Sequence, residues 1–241
     1  MRFITLIAAL LCCSCVDSGS RLSQAPAALG NRPISGFAPV DGGTIHFQAA
    51  GEGPPLILLH GGGMDMSMWD ALVPTLTRHH RVIRWDARGH GASTAPPDRT
   101  KATAEDLRSL LDHLQIGRAT IVGFSMGAGT AANFAIVSPE RVERLVLIST
   151  AAPPPGAPRI PGAPPPLAER EGRTLLAKSS VPVLMIVGSK DSDLVRATGS
   201  AVASEVPSAR LIELENASHG VVAEQPAQVA SAIMRWAAMA K

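Results

Sequence analysis

The chain has 241 residues, of which 22 are basic and 20 acidic, so its formal charge at pH 7 is +2. This length suits one domain with a sizeable hydrophobic core and argues against two independent domains. The near-neutral balance and the lack of a basic run exclude the charged surface typical of nucleic-acid-binding proteins. A hydrophobic fraction of 46% with only 17% charged residues excludes an intrinsically disordered chain.

The first 20 residues predict an export signal. Arg2 precedes an apolar run at 3–11, and small residues follow that run. A run of nine residues is too short to span a bilayer, which takes about 20. The pattern is typical of a secretory signal peptide, so we expect an exported protein of the cell envelope or periplasm.

All three cysteines lie at the end of this apolar run, which resembles the lipobox of bacterial lipoproteins. In that interpretation Cys15 is the preferred site of lipid attachment, and Cys13 is the alternative, so a membrane anchor is expected. Cleavage before Cys15 leaves at most one thiol, so disulfides do not hold the fold. The cysteines and histidines lack the spacing of metal ligands, and we expect no metal or cofactor.

Residues 21–33 predict a flexible lead-in, and residues 34–241 predict the folded domain. Eight short apolar runs predict β-strands at 36–40, 44–49, 56–60, 82–86, 120–123, 145–150, 183–188 and 210–215. The intervening segments predict helices at 69–77, 104–114, 126–137, 167–178, 194–203 and 226–239. The central runs are apolar on both sides, which predicts an α/β fold with a mostly parallel eight-stranded sheet and helices on both faces. In such a sheet functional groups gather at the carboxyl ends of the strands.

The sequence GFSMG at 123–127 lies between the fifth predicted strand and a helix. The small residues that flank Ser125 allow the strand and helix to pack closely, and they expose the serine on a strained turn. Ser125 is therefore the candidate nucleophile.

The sequence HGGG at 60–63 follows the third predicted strand. Its glycines allow a tight turn whose backbone N–H groups face the space above the serine. We assign an oxyanion hole to the N–H groups of Met126 and Gly62, with Gly63 as the alternative to Gly62. His60 is interpreted as structural, because it can fix this loop by hydrogen bonds.

Two more strand ends supply a carboxylate and an imidazole. Asp191 lies on a tight turn after the seventh strand, and Asp193 is the alternative. His219 lies in a small-residue loop after the last strand, where an imidazole can face Ser125. The order Ser, Asp, His at three strand ends favours a catalytic triad.

With these residues the sequence resembles the α/β-hydrolase superfamily, over about residues 37–236. The turn DARGHGAS at 86–93 resembles the Asp-x-Arg-Gly-x-Gly-x-Ser turn of that superfamily, and we interpret Asp86 and Arg88 as structural. The chain is similar to its enol-lactonases, carboxylesterases and cofactor-free haloperoxidases. The resemblance implies a serine hydrolase of carboxylesterase type that cleaves an ester or lactone through an acyl-enzyme. The alternatives are a cofactor-free haloperoxidase or perhydrolase with the same triad, and a non-catalytic envelope protein.

Members of the superfamily usually carry a helical cap between the sixth and seventh strands. Here the corresponding segment, 151–180, is short, and eight prolines fall within 153–166. Because proline removes backbone donors and fixes φ, we expect the cap to be reduced to a proline-rich loop. The site is then expected to be open to small-molecule or polymer-bound esters.

Overall fold

The computed structural model describes residues 33–97, 103–150 and 163–239, which form an eight-stranded sheet flanked by helices. The strands are β1 (Ile34–Val40), β2 (Gly43–Ala50), β3 (Pro55–Leu59), β4 (Arg81–Trp85), β5 (Ala119–Phe124), β6 (Val142–Ile148), β7 (Val183–Gly188) and β8 (Ala209–Leu214). Their order across the sheet is β1-β2-β4-β3-β5-β6-β7-β8. β2 is antiparallel to β1 and β4, and all other neighbours are parallel. The expected mostly parallel eight-stranded sheet is confirmed.

The α-helices are α1 (Val73–Leu76), α2 (Thr103–His113), α3 (Met126–Val137), α4 (Arg170–Lys178), α5 (Asp193–Glu205), α6 (Val221–Glu224) and α7 (Pro226–Ala238). The single helix predicted at 69–77 is wrong. The chain instead forms a 3₁₀ helix at Met66–Trp69, which Asp65 caps by accepting the Ser67 N–H at 2.8 Å. A separate short helix then begins beside Pro74, because proline suits the first turn of a helix and not its interior.

The helices cover both faces of the sheet over two hydrophobic cores. Alternate residues of the central strands face opposite cores, as Ile121 and Val122 do in β5. One core lies under α2, α3, α4 and α5, and it includes Leu107, Phe134 and Leu176. The other lies under α1, α6 and α7, and it includes Trp69, Val82, Ile233 and Trp236. Burial on both faces explains why the central strands are continuous apolar runs.

The predicted signal and lipobox region at 1–20, the lead-in up to residue 32, and positions 151–162 of the predicted cap segment lie outside the described residues. In the described remainder of that segment, 163–166 has no regular structure and α4 begins at Arg170 rather than at 167. α4 packs against α3 and α5. Within the three described ranges, no helix is long and apolar enough to cross a membrane.

Candidate active site

Ser125 occupies a sharp turn between β5 and α3. Its φ of +51° and ψ of −112° lie in a region that non-glycine residues rarely adopt, which costs on the order of 1–3 kcal/mol. The Ser125 N–H donates to the carbonyl of Ile148 at 2.9 Å, which holds the turn at the carboxyl edge of the sheet. The flanking glycines allow the tight approach, because a Cβ on Gly123 would lie 2.3 Å from the Gly127 carbonyl oxygen, and one on Gly127 would lie 2.3 Å from that of Leu59.

The structure brings together the three side chains predicted from different strand ends. His219 Nε2 lies 3.1 Å from Ser125 Oγ, and His219 Nδ1 lies 3.0 Å from Asp191 Oδ1. The Asp191 side chain is 1% exposed, and that of His219 is 45% exposed. The alternative carboxylate, Asp193, lies instead on the surface, 96% exposed and paired with Arg196. Because the buried carboxylate binds the Nδ1–H of His219, Nε2 is left to accept the serine hydroxyl proton.

The loops that carry Asp191 and His219 pack directly on each other. The Lys190 N–H donates to the Ala217 carbonyl at 2.8 Å, and the Asn216 N–H donates to Ser189 Oγ at 2.9 Å. A Cβ on Gly188 would lie 2.3 Å from the Ala217 oxygen, so only glycine allows this approach. The distance between carboxylate and imidazole is therefore fixed by backbone contacts as well as by the side chains.

Two residues that sequence reasoning missed support His219. The Phe124 ring lies 5.3 Å from the imidazole, centroid to centroid, and is itself buried. Glu224 of α6 accepts hydrogen bonds from both the hydroxyl and the N–H of Ser218, the latter at 2.7 Å. The hydrogen bonds from Ser218 hold the pKa of Glu224 below its ordinary value. The ring of Phe124 thus packs against His219, and Glu224 holds the preceding residue, Ser218, in place.

The glycine loop after β3 lies opposite the serine turn. The Gly63 N–H donates to His90 Nε2 at 3.3 Å. By contrast, neither the Gly62 N–H nor the Met126 N–H has an acceptor within the described part of the chain. A Cβ on Gly62 would lie 3.8 Å from the Met126 Cβ, so the two residues are neighbours. The N–H groups of Gly62 and Met126 are therefore available to bind an oxyanion, whereas the Gly63 N–H already donates to His90.

His60 is buried, and both of its ring nitrogens bind backbone. The Ala87 N–H donates to His60 Nε2 at 2.9 Å, and His60 Nδ1–H donates to the Gly61 carbonyl at 2.7 Å. Burial lowers the pKa of His60. The ring is therefore a neutral connector between the loops after β3 and β4, in keeping with the structural role expected for it.

The charged residues of the turn after β4 are engaged in buried contacts and do not pair with each other. Asp86 accepts from the Met66 N–H and lies against His46 Nδ1, both at 2.8 Å. The guanidinium of Arg88 makes a two-pronged contact with the buried carboxylate of Asp106, with both N–O distances 2.6 Å. Through these contacts Asp86 and Arg88 stabilise the loop, in keeping with the structural role expected for them.

A cavity of about 410 Å³ opens beside His219. Its walls include Lys190 and Ser218 with the apolar side chains of Leu194 and Val195. Leu194 is 54% exposed, although it is a large apolar side chain. The site thus combines a serine hydroxyl bonded to an imidazole, a buried carboxylate, two free amides and an adjoining cavity. Such a set can deprotonate an alcohol and stabilise an oxyanion.

Comparison with known proteins agrees with this fold. Residues 54–170 match the family model of the alpha/beta hydrolase fold. The chain is similar to a hydrolase from Pseudomonas aeruginosa, with 28% identity, a TM-score of 0.72, and coverage of 85% of this chain and 98% of that one. It is also similar to the enol-lactonase from Burkholderia xenovorans, with 26% identity, a TM-score of 0.73, and coverage of 85% and 100%.

Curated relatives match over a shorter stretch. The pimeloyl-[acyl-carrier protein] methyl ester esterase of Nitrosomonas europaea is 34% identical over 107 residues, which are 44% of this chain and 41% of that protein. The chain spans less than half the length of the curated relatives it matches. The topology of the sheet, the family model and the structural neighbours together show that this chain has the alpha/beta hydrolase fold.

Proposed function

We propose that this protein is a serine hydrolase that cleaves a carboxylic ester or lactone of a small molecule through an acyl-enzyme. The observation that carries the proposal is the continuous contact from Ser125 to His219 at 3.1 Å and on to Asp191 at 3.0 Å. The relatives named as an esterase and an enol-lactonase support the same class of substrate. We assign catalytic roles to these three residues.

The first half of the reaction forms the acyl-enzyme. His219 Nε2 accepts the hydroxyl proton while Ser125 Oγ attacks the carbonyl carbon of the ester. The carboxylate of Asp191 holds the imidazole in place and stabilises its positive charge. The carbonyl oxygen becomes an oxyanion, which the N–H groups of Gly62 and Met126 bind.

The tetrahedral intermediate then collapses, and the imidazolium of His219 gives its proton to the leaving alcohol. The alcohol part of the ester therefore lies next to the His219 ring when it leaves. Water then attacks the acyl group on Ser125 as the same imidazole takes its proton. The carboxylic acid is released and the serine hydroxyl is restored.

The experiment compares p-nitrophenyl acetate turnover by the wild type with that of Ser125→Ala. Ser204→Ala is the matched control, since Ser204 is exposed on α5 and bonds to the Ala201 carbonyl. We expect turnover and fluorophosphonate labelling to vanish in Ser125→Ala and to be unchanged in Ser204→Ala. Turnover that survives in Ser125→Ala would contradict the proposal.

We also propose that the protein is exported to the cell envelope and anchored to the membrane by a lipid on Cys15. The support is the pattern of residues 1–20, with a short apolar run followed by cysteines. The test is incorporation of radiolabelled palmitate in a bacterial host. Loss of label in Cys15→Ser but not in Cys13→Ser supports the assignment, and the reverse result moves the lipid to Cys13.

A further inference from the structure

The peptide unit between Gly61 and Gly62 contains the Gly62 N–H, and its carbonyl oxygen, on Gly61, accepts two hydrogen bonds. The Gly61 carbonyl accepts from His60 Nδ1–H at 2.7 Å and from the Met64 N–H at 3.3 Å. In a trans peptide the C=O and N–H groups point in opposite directions. Fixing the Gly61 oxygen therefore fixes the direction of the Gly62 N–H.

The next peptide unit, between Gly62 and Gly63, depends on His90. The Gly63 N–H donates to His90 Nε2 at 3.3 Å. Gly63 has a left-handed φ of +70°, is exposed, and has nothing within 4 Å of the place where a Cβ would lie. Besides the bond from the Met64 N–H to the Gly61 oxygen, which closes the turn over Gly62 and Gly63, the hydrogen bond to His90 is the restraint on this peptide unit.

His90 is itself held so that Nε2 is an acceptor. Its Nδ1 lies 3.0 Å from the Arg88 carbonyl oxygen, which requires a proton on Nδ1 and leaves Nε2 unprotonated in the neutral ring. The His90 N–H also donates to the Ala87 carbonyl at 2.9 Å. The Arg88 side chain is anchored on buried Asp106. His90 therefore extends from a rigid turn.

The two histidines connect the loops in both directions. His60, from the glycine loop after β3, accepts the Ala87 N–H of the turn after β4. His90, from that turn, accepts the Gly63 N–H of the glycine loop. Their rings lie 5.1 Å apart, centroid to centroid. Each ring thus binds one N–H of the opposite loop, and together the rings hold the peptide units on either side of Gly62.

We propose that His90 is a positioning residue for ester hydrolysis: by accepting the Gly63 N–H, it holds the glycine loop so that the Gly62 N–H points at the developing oxyanion. This role rests on the proposed function. His90 touches neither substrate nor reacting atoms, and it acts through the peptide unit that follows Gly62. Loss of the hydrogen bond lets that peptide rotate, and the rotation opens the turn that the Met64 N–H closes onto the Gly61 oxygen. The peptide unit that carries the Gly62 N–H then loses one of its two restraints, and the amide is no longer held at the required distance from the oxyanion.

The test uses two polar replacements of His90, each of which retains one of the two hydrogen bonds that the imidazole makes. Gln places an amide oxygen near the position of Nε2, so His90→Gln keeps an acceptor for Gly63. Asn reaches only as far as Nδ1, so His90→Asn keeps the donor to Arg88 and loses that acceptor. For p-nitrophenyl acetate we expect kcat to fall about 10- to 100-fold in His90→Asn with KM within about twofold of wild type. His90→Gln should recover most of the lost kcat.

Affinity for a trifluoromethyl ketone, which forms a tetrahedral oxyanion on the serine, supplies the second readout. We expect it to weaken in His90→Asn in parallel with kcat and to return in His90→Gln, while both variants melt within a few degrees of each other. Equal kcat and equal ketone affinity in the two variants, with only the melting temperature changed, would overturn the positioning role. Absence of Ser125-dependent turnover in the wild type would instead overturn the proposed function, and the positioning role with it.

Discussion

Replacing Asp191 by Asn removes the negative charge behind His219 and preserves the shape of the side chain. The Asp191 side chain is 1% exposed, and its oxygens lie 3.0 and 3.2 Å from His219 Nδ1. Its Oδ1 also accepts the Ser192 N–H at 2.8 Å, and an Asn oxygen can keep that bond. The variant therefore loses mainly the electrostatic stabilisation of the imidazolium that forms as Ser125 attacks.

The expected loss follows from Coulomb's law. With N–O contacts of 3.0 Å, the centres of the two charges lie about 4 Å apart. Because the carboxylate is buried while the imidazole side chain is 45% exposed, an effective dielectric constant of about 20 applies. The interaction is then about 4 kcal/mol, or about three orders of magnitude in kcat/KM. The loss should fall on kcat, because the imidazolium exists only after the proton has moved.

The assay is steady-state hydrolysis of p-nitrophenyl acetate by Asp191→Asn, with Asp193→Asn as the control. Asp193 is 96% exposed and pairs with Arg196 on the surface, so its variant should match the wild type. Circular dichroism spectra of both variants should match the wild type. If Asp191→Asn keeps a tenth or more of wild-type kcat/KM, or if Asp193→Asn shows the larger loss, the assignment of the carboxylate is wrong.

Three further changes test how the site is supported. In a urea titration, Gly188→Ala should lose about 1–3 kcal/mol of unfolding free energy and most of its activity, because the new Cβ would lie 2.3 Å from a backbone oxygen. The control Gly129→Ala has nothing within 4 Å of its new Cβ and should match or exceed the wild type in unfolding free energy. Burial lowers the pKa of His60, so the neutral ring stabilises the fold fully above the ordinary pKa of about 6.5, and this stabilisation is lost as the pH falls through the folded-state pKa. The urea midpoint of unfolding should therefore drop between about pH 7 and pH 5. A midpoint that stays constant over this range would contradict the role of His60. Arg88→Met leaves the buried Asp106 without its partner and should cost about 3–5 kcal/mol by the same titration, whereas a cost below about 1 kcal/mol would contradict the buried pair.

The sheet could be predicted because its strands carry a strong local pattern. All eight predicted strands are confirmed, and β7 has the predicted bounds at Val183–Gly188. The largest shift is in β6, which begins at Val142 rather than at 145, since the alternation with Glu143 and Arg144 hides its first residues. Short elements escaped prediction. The four-residue helix Val221–Glu224 is too short to show a helical period. The region of the helix predicted at 69–77 is divided between the end of a 3₁₀ helix at Trp69 and a separate α-helix at Val73–Leu76.

The side chains of the site were predictable by their places at strand ends, but their supports were not. Phe124 reads in the sequence as one more apolar residue of β5, and only the fold brings its ring to His219. His90 occupies an unspecified position of the DARGHGAS turn, and nothing in the sequence connects it with its partner Gly63, 27 positions earlier. The choice between Gly62 and Gly63 depends on the direction of each N–H, which follows from backbone dihedrals that no residue spacing specifies. Long-range contacts of this kind are properties of the folded chain and leave no periodic trace in the sequence.

The central claim is that an ester transfers its acyl group to one serine on the turn between β5 and α3. The most direct measurement is to mix the protein with p-nitrophenyl acetate, quench in acid during the first turnover, and sequence the peptides by tandem mass spectrometry. We expect one added acetyl group on Ser125, absent from the His219→Ala variant. An acetyl group on another residue, or turnover without any acetylated serine, would contradict it.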